Sequence, residues 1–194
     1  MKNNKKVLCT GISSLLAFAA WTILIQTVDV QPAGVNGTTI GLAAINTWFH
    51  RLTGVHLTVY IITDWLGLVP IFICLLFGIV GLVQLVKRKS LFKVDKDIVL
   101  LGFYYVIVMI AYLTFEMVPI NYRPILIDGL MEASYPSSTT LLVLSVMPSL
   151  KFQMARRSRN VALRNTVNMF ATAFSAVMMI GRLLSGVHWC TDII

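Results

Sequence analysis

The sequence predicts an all-α fold, a polytopic transmembrane helical bundle with five spans visible, and three observations predict it. Of 194 residues, 57% are hydrophobic and 12% charged, and the mean hydropathy is +0.81, too apolar for a soluble domain of this length. Five uncharged stretches, 7–28, 65–86, 98–115, 133–150 and 165–181, approach the roughly 20 apolar residues that one helical crossing needs. These runs are continuous rather than alternating, which excludes the pattern of a β-barrel and leaves helices as the way to satisfy the backbone in lipid.

The first run follows Lys2, Lys5 and Lys6 and could be a signal peptide with a cleavage site at Ala17-Phe18-Ala19. It continues through Trp21, Ile23, Leu24 and Ile25, so it reads as an uncleaved span. Most of the net charge of +8 is topological. Lys87, Arg88, Lys89, Lys93 and Lys96 cluster in one loop, and Lys151, Arg156, Arg157, Arg159 and Arg164 in another. With the N-terminal lysines they fall at alternate span ends, which places them and the N-terminus in the cytoplasm of a multi-pass cell-membrane protein. This distribution excludes a nucleic-acid partner as the reason for the charge.

Between the first two spans, residues 29–64 form an outer segment that opens on the turn signals Gln31-Pro32-Ala33-Gly34 and Asn36-Gly37. From Ile40 onward apolar residues mix with Trp48, His50, Arg51 and His56, as in an amphipathic helix lying in the interface. The loops at 87–97 and 151–165 are too short for a cytoplasmic domain, so residues 1–194 read as a single membrane-embedded domain. Cys9 and Cys74 fall in spans and Cys190 near the outer surface, a spacing that implies neither a disulfide framework nor a metal site; no cofactor is expected.

Ionisable residues at membrane depth are costly and mark function or pairing, and three segments at the outer span ends carry them. Glu116-Met-Val-Pro-Ile-Asn-Tyr-Arg123-Pro124 leaves the third span. Tyr135-Pro136-Ser137-Ser138-Thr139-Thr140 opens the fourth; its proline beside hydroxyl residues is a helix-start signal, and the free N–H groups of such a start suit phosphate. Taken alone, that segment reads first as ordinary capping. Gly181-Arg182-Leu-Leu-Ser185-Gly186-Val-His188-Trp-Cys-Thr-Asp192 closes the fifth. On a helix His188 and Asp192 share a face, so the carboxylate is expected to accept the imidazole N–H and leave the other nitrogen free to attack phosphorus or to act as a base. A lone His–Asp pair is more often structural; Arg123 and Arg182 add two planar forks suited to phosphoryl oxygens. Ser185-Gly186 is expected to break the helix so that Arg182 and His188 face one pocket.

Together these residues resemble the PAP2 superfamily, in particular its membrane lipid phosphate phosphatases. The family reads Lys, six residues, Arg-Pro; then Pro-Ser-Gly-His; then Ser-Arg, five residues, His, three residues, Asp. Arg123-Pro124 matches the end of the first motif, Pro136-Ser137 the start of the second, and Arg182, His188 and Asp192 the third at the family spacing. The resemblance implies His188 as nucleophile, Asp192 as its orienter, and Arg123, Arg182, Ser137 and the adjoining Ser138 as phosphate ligands, with no metal. Glu116 stands at the family lysine, Thr139 at the histidine that protonates the leaving oxygen, and Gly181 at the serine. A diphosphate substrate, whose leaving group is a weak base, would suit such a site; alternatively Glu116 or Glu132 could serve as acid if burial raised its pKa. The family's sixth span would begin near His188, so the chain is expected to continue past Ile194.

The expected function is removal of phosphate at the outer leaflet from a lipid phosphate or isoprenoid diphosphate. Phosphatidic acid, diacylglycerol pyrophosphate, phosphatidylglycerol phosphate and undecaprenyl diphosphate are all compatible, and membrane lipids are the expected partners. The alternative is an inactive relative that binds phospholipid headgroups or a membrane partner. A transporter is the weakest reading, because the span interiors are nearly free of ionisable residues.

Overall fold

The computed structural model describes residues 2–193; Met1 and Ile194 lie outside it. Seven α-helices make up most of the described chain, with three short 3₁₀ turns and isolated β-bridges beside them. Helix α1, Lys2–Thr27, presents Val7, Leu8, Ile12 and Leu15 outward, as expected where the surrounding solvent is lipid. It meets the bundle near its end, where Ile25 is buried.

A short loop carries the chain into α2, Ala43–Thr53. Its start is held by Asp29, whose carboxylate accepts the Ala44 N–H at 2.7 Å and whose carbonyl accepts that of Ala43. Gly41 is required there, since a Cβ would fall 1.6 Å from the Ile25 carbonyl oxygen. Helix α2 is two-faced: Ala43 and Asn46 are buried, while Ile45, Trp48 and Leu52 are exposed.

Helices α3, Leu57–Leu66, and α4, Leu68–Arg88, form one apolar run from Leu57 to Arg88. The expected boundary at 65 therefore falls too late. Tyr60, Thr63, Asp64 and Gly67 dilute the hydropathy of α3, but at i, i+3, i+4 and i+7 they form one stripe. Helix α5 spans Lys96–Met117, α6 Ser138–Arg157 and α7 Val161–Ser185. The expected fourth span began at 133, yet helix starts only at Ser138, because the preceding residues are committed to a hairpin-like ladder.

Among the described residues, four helical runs are long and apolar enough to cross a membrane: Lys5–Thr27, Leu57–Arg88, Lys96–Met117 and Val161–Ser185. Helix α6 is long enough, at 20 residues, but less apolar. It occupies the centre, packed by α4, α5 and α7, so its Thr139, Thr140, Ser145 and Gln153 meet protein rather than lipid. The core joins Ile73 of α4, Val143, Val146 and Met147 of α6, and Ala171 and Met178 of α7. In lipid such contacts hold by close packing rather than by release of water, and small residues bring helices together. Gly181 does so between α7 and α3: a Cβ there would stand 2.6 Å from the Thr63 methyl.

At the end of the bundle carrying the basic loops, Asp95 accepts from Arg88 at 2.8 Å, Gln84 at 2.9 Å and Arg157 at 3.2 Å. Arg157 also pairs with Asp97 at 2.7 Å, clamping the α4–α5 loop to the end of α6. Hydrogen bonding from Arg88 first, then Gln84, holds the Asp95 carboxyl below its ordinary range.

Candidate active site

At the opposite end, residues 118–137 fold back on themselves before α6. Arg123 N–H donates to the Glu132 carbonyl at 3.1 Å and Ser134 N–H to that of Asn121 at 2.9 Å. Asp128 and Gly129, both at positive φ, turn the tip. This ladder sets Asn121, Arg123, Glu132 and Ser134 beside the end of α7. Helix α7 stops at Gly186, whose φ of 68° and whose approach to Gly54, with a Cβ 2.0 Å from that carbonyl oxygen, admit only glycine without displacement.

Beyond Gly186 the chain does not continue as an α-helix. Cys190–Asp192 form a 3₁₀ turn, so the helical register expected for His188 and Asp192 is absent. The carboxylate does not accept directly from the imidazole; Ser134 stands between them. Its hydroxyl donates to Asp192 Oδ2 at 2.5 Å and lies 3.1 Å from His188 Nδ1, while the Ser134 carbonyl lies 3.1 Å from the same nitrogen. A carbonyl can only accept, so Nδ1 carries the proton and Nε2 the lone pair. His188 Nε2 is buried and has no hydrogen-bond partner among the described residues.

Asp192 is held from three sides: by the Ser134 hydroxyl, by Asn121 Nδ2 at 3.0 Å and by the Trp189 N–H at 3.0 Å. Burial pushes its pKa up to about 6, opposed by these donors and by the Arg123 charge. His188 is held well below the ordinary histidine range, first by burial and then by the charges of Arg123 and Arg182, which opposes protonation of the imidazole.

The charges of both arginines act on this histidine. Arg123 pairs with Glu132 at 2.9 Å but leaves Nη1 buried and without a partner. Arg182, 1% exposed, lies 3.5 Å from Thr63 Oγ1 and 3.7 Å from Asp64, with Nε unpartnered. The Tyr60 ring takes both guanidinium groups, at 5.6 Å from Arg123 and 5.0 Å from Arg182. The remaining outer arginine, Arg51, is exposed on α2.

Ser137 is fully buried at the N-cap of α6, its N–H donating to the Asp192 carbonyl at 2.9 Å. Leu141 is the first residue to return a hydrogen bond to Ser137, so the N–H groups of Ser138, Thr139 and Thr140 donate to no carbonyl among the described residues. Ser138 and Thr139 line the mouth of a crevice of about 470 Å³ that runs between α4, α5 and α6. Asp64 lines the same mouth.

The two acidic candidates fare differently from expectation. Glu116 is exposed at the end of α5, has no ion pair among the described residues and is not among the residues that line the crevice. Glu132 is half-buried but committed to Arg123. The tail, with Cys190 expected near the outer surface, is buried and tied down. Asn46 Oδ1 accepts from Cys190 Sγ and the Thr191 N–H, Trp21 Nε1 donates to the Thr191 carbonyl at 3.2 Å, and Trp189 Nε1 donates to that of Tyr122 at 2.8 Å. Ile194 lies outside the described residues. Sequence reasoning missed Ser134, Asn121, Tyr60 and Asp64; the Asp128-Gly129 dipeptide between apolar runs was a signal for the ladder, and the polar stripe of α3 for the last two.

A bundle of membrane-spanning helices with a histidine, two buried arginines and a helix N-terminus converging at one end defines the architectural class. A crystal structure of a transmembrane PAP2 type phosphatidylglycerolphosphate phosphatase from Bacillus subtilis has this fold. It matches with a TM-score of 0.57 at 19% identity, covering 94% of this chain and 86% of that one. No protein-family model and no curated protein sequence matches the chain.

Proposed function

We propose that the protein is a PAP2-type membrane phosphohydrolase that removes phosphate from a lipid phosphate or diphosphate at the outer leaflet, with His188 as nucleophile. The observation that carries this reading is the oriented His188: its Nδ1 proton is committed to the Ser134 carbonyl, and its Nε2 lone pair is buried beside two arginines that keep N–H groups unused. Elsewhere a buried, unpaired set of this kind would be a cost without return. Facing a phosphoryl group it supplies the attacking atom and the donors for the developing charge.

In the first step the Nε2–P bond forms, the bond from phosphorus to the leaving oxygen breaks, and that oxygen takes the electron pair. The imidazole becomes positive, and Asp192, reached through the Ser134 hydroxyl, stabilises it. Water then attacks phosphorus, the P–N bond returns its pair to Nε2, and phosphate departs. Arg123, Arg182, Ser137 and the first N–H groups of α6 are the phosphate ligands. The apolar crevice below Ser138 and Thr139 suits the lipid chain, and a second apolar cleft of about 400 Å³ shares Cys74 and Tyr105 with it. The basic loops at the far end support a cytoplasmic N-terminus and a site on the outer side.

Phosphate release from phosphatidic acid, diacylglycerol pyrophosphate, phosphatidylglycerol phosphate and undecaprenyl diphosphate, by the purified protein in micelles, tests the proposal. Release that His188→Ala abolishes supports it. Thr139, a hydroxyl where a proton donor would stand, favours a second reading: an inactive protein that binds headgroups. Saturable lipid binding dependent on Arg123 and Arg182, without release from any substrate, would select that reading.

A further inference from the structure

One carboxylate is among the residues that line the crevice, and none of the three motifs accounts for it. Asp64 lies on α3, is 59% exposed, and lines the crevice together with Ser138 and Thr139. Its Oδ1 stands 3.7 Å from Arg182 Nη1, too far for a committed hydrogen bond. One turn on, a Cβ at Gly67 would stand 3.3 Å from the Thr139 methyl, so the α3–α4 junction lies directly against Thr139. Asp64 is thus between a phosphate-facing arginine and the residue that begins the lipid crevice, the boundary at which a lipid phosphate presents its bridging oxygen.

Resting on the phosphohydrolase reading, we propose that Asp64 is the proton donor to the leaving oxygen, acting from α3 at the place where Thr139 offers only a weakly acidic hydroxyl. A phosphate that engages Arg182 neutralises the cation nearest Asp64 and brings its own oxygens toward the carboxyl. In the step, the P–O bond breaks as the Nε2–P bond forms, the electron pair stays on the leaving oxygen, and the Asp64 proton moves to it, releasing a lipid alcohol. Asp64 is left as carboxylate and regains a proton from the water to which it is exposed. A monoester, whose leaving group is a strongly basic alkoxide, needs this proton; a diphosphate, which expels a weakly basic phosphate, needs it far less.

The test compares phosphatidic acid with diacylglycerol pyrophosphate, which have the same tails. Asp64→Asn is expected to slow the monoester by about 100- to 1000-fold and the diphosphate by less than about tenfold. Asp64→Glu restores the monoester rate at least in part, and Thr139→His added to Asp64→Asn raises it at least about tenfold. Equal losses on both substrates would make Asp64 a positioning residue for Arg182 and overturn the proposal, as would no loss at all. A wild-type protein active on the diphosphate alone overturns it too, while leaving the phosphohydrolase reading intact. Failure of that reading is separately visible as no His188-dependent release from either substrate.

Discussion

Ser134→Ala is the sharpest test of how the site stabilises charge. The substitution removes only the hydroxyl between Asp192 and His188 and leaves the backbone carbonyl that fixes Nδ1, so the tautomer is preserved. Asp192, 3% exposed, then keeps Asn121 and Trp189 as donors but loses its shortest hydrogen bond, of 2.5 Å. A hydrogen bond to a buried charge contributes about 1.5–3 kcal/mol. At 1.36 kcal/mol per pH unit, its loss raises the Asp192 pKa by roughly one to two units. The wild-type carboxyl titrates at about 6, so its negative charge is lost as pH falls through that value. His188 is already neutral in this range, since burial and the two arginines hold it below its ordinary value. Asp192 therefore sets the acid limb. Phosphate release from phosphatidic acid measured between about pH 5 and 9 is expected to show that limb near 6 in the wild type, and higher by roughly one to two units in the variant, with recovery at the alkaline end. An unmoved limb with a uniformly lower rate would refute the reasoning, because it would uncouple Asp192 from the reacting imidazole.

Three further outcomes follow from the same geometry. Asp192 binds its proton more tightly folded than unfolded, so folding stability falls as pH rises from 3.8 through about 6, by about 3 kcal/mol. Asp192→Asn is expected to flatten that dependence, read as a thermal midpoint in detergent that no longer declines over this range, while phosphate release is lost at every pH. Gly186→Ala forces a side chain at a φ of 68° to within 2.0 Å of the Gly54 carbonyl oxygen, and is expected to cost more than about 2 kcal/mol, read as a lowered midpoint. Tyr60→Ala removes the ring that both guanidinium groups face and is expected to weaken phosphate inhibition by about tenfold, leaving the pH profile in place.

The bundle was legible because lipid imposes a long uniform code: α1, α5 and α7 follow from uncharged runs alone. Helix α6 was less so, since a helix enclosed by others is released from that code and its Thr139, Ser145 and Gln153 look like interruptions. The start of α3 failed for the same reason. Its Tyr60, Thr63 and Asp64 lower the hydropathy that a window reads, although their spacing puts them on one face. The approach of His188, Arg123 and Arg182 was readable from spacing and placement. The break at Ser185-Gly186 was readable too, but Ser134 as intermediary was not, because it depends on a ladder turning at Asp128-Gly129, and placing His188 and Asp192 on one helical face supplied a direct His–Asp contact instead.

The fastening of the tail to α2 constrains how a substrate could arrive. Asn46 accepts from Cys190 and Thr191 and donates to Thr191, and His50 lies 5.5 Å from Trp189 ring to ring while its Nε2 meets the Gly186 carbonyl. Helix α2 and the segment bearing His188 are therefore tied together. Any opening that swung α2 outward would carry His188 away from Arg123 and Arg182 and dismantle the centre it uncovered. A route that leaves the machinery assembled must run sideways from the bilayer, through the gap among α4, α5 and α6, and it would select molecules already dissolved in the membrane over soluble phosphates of the same headgroup.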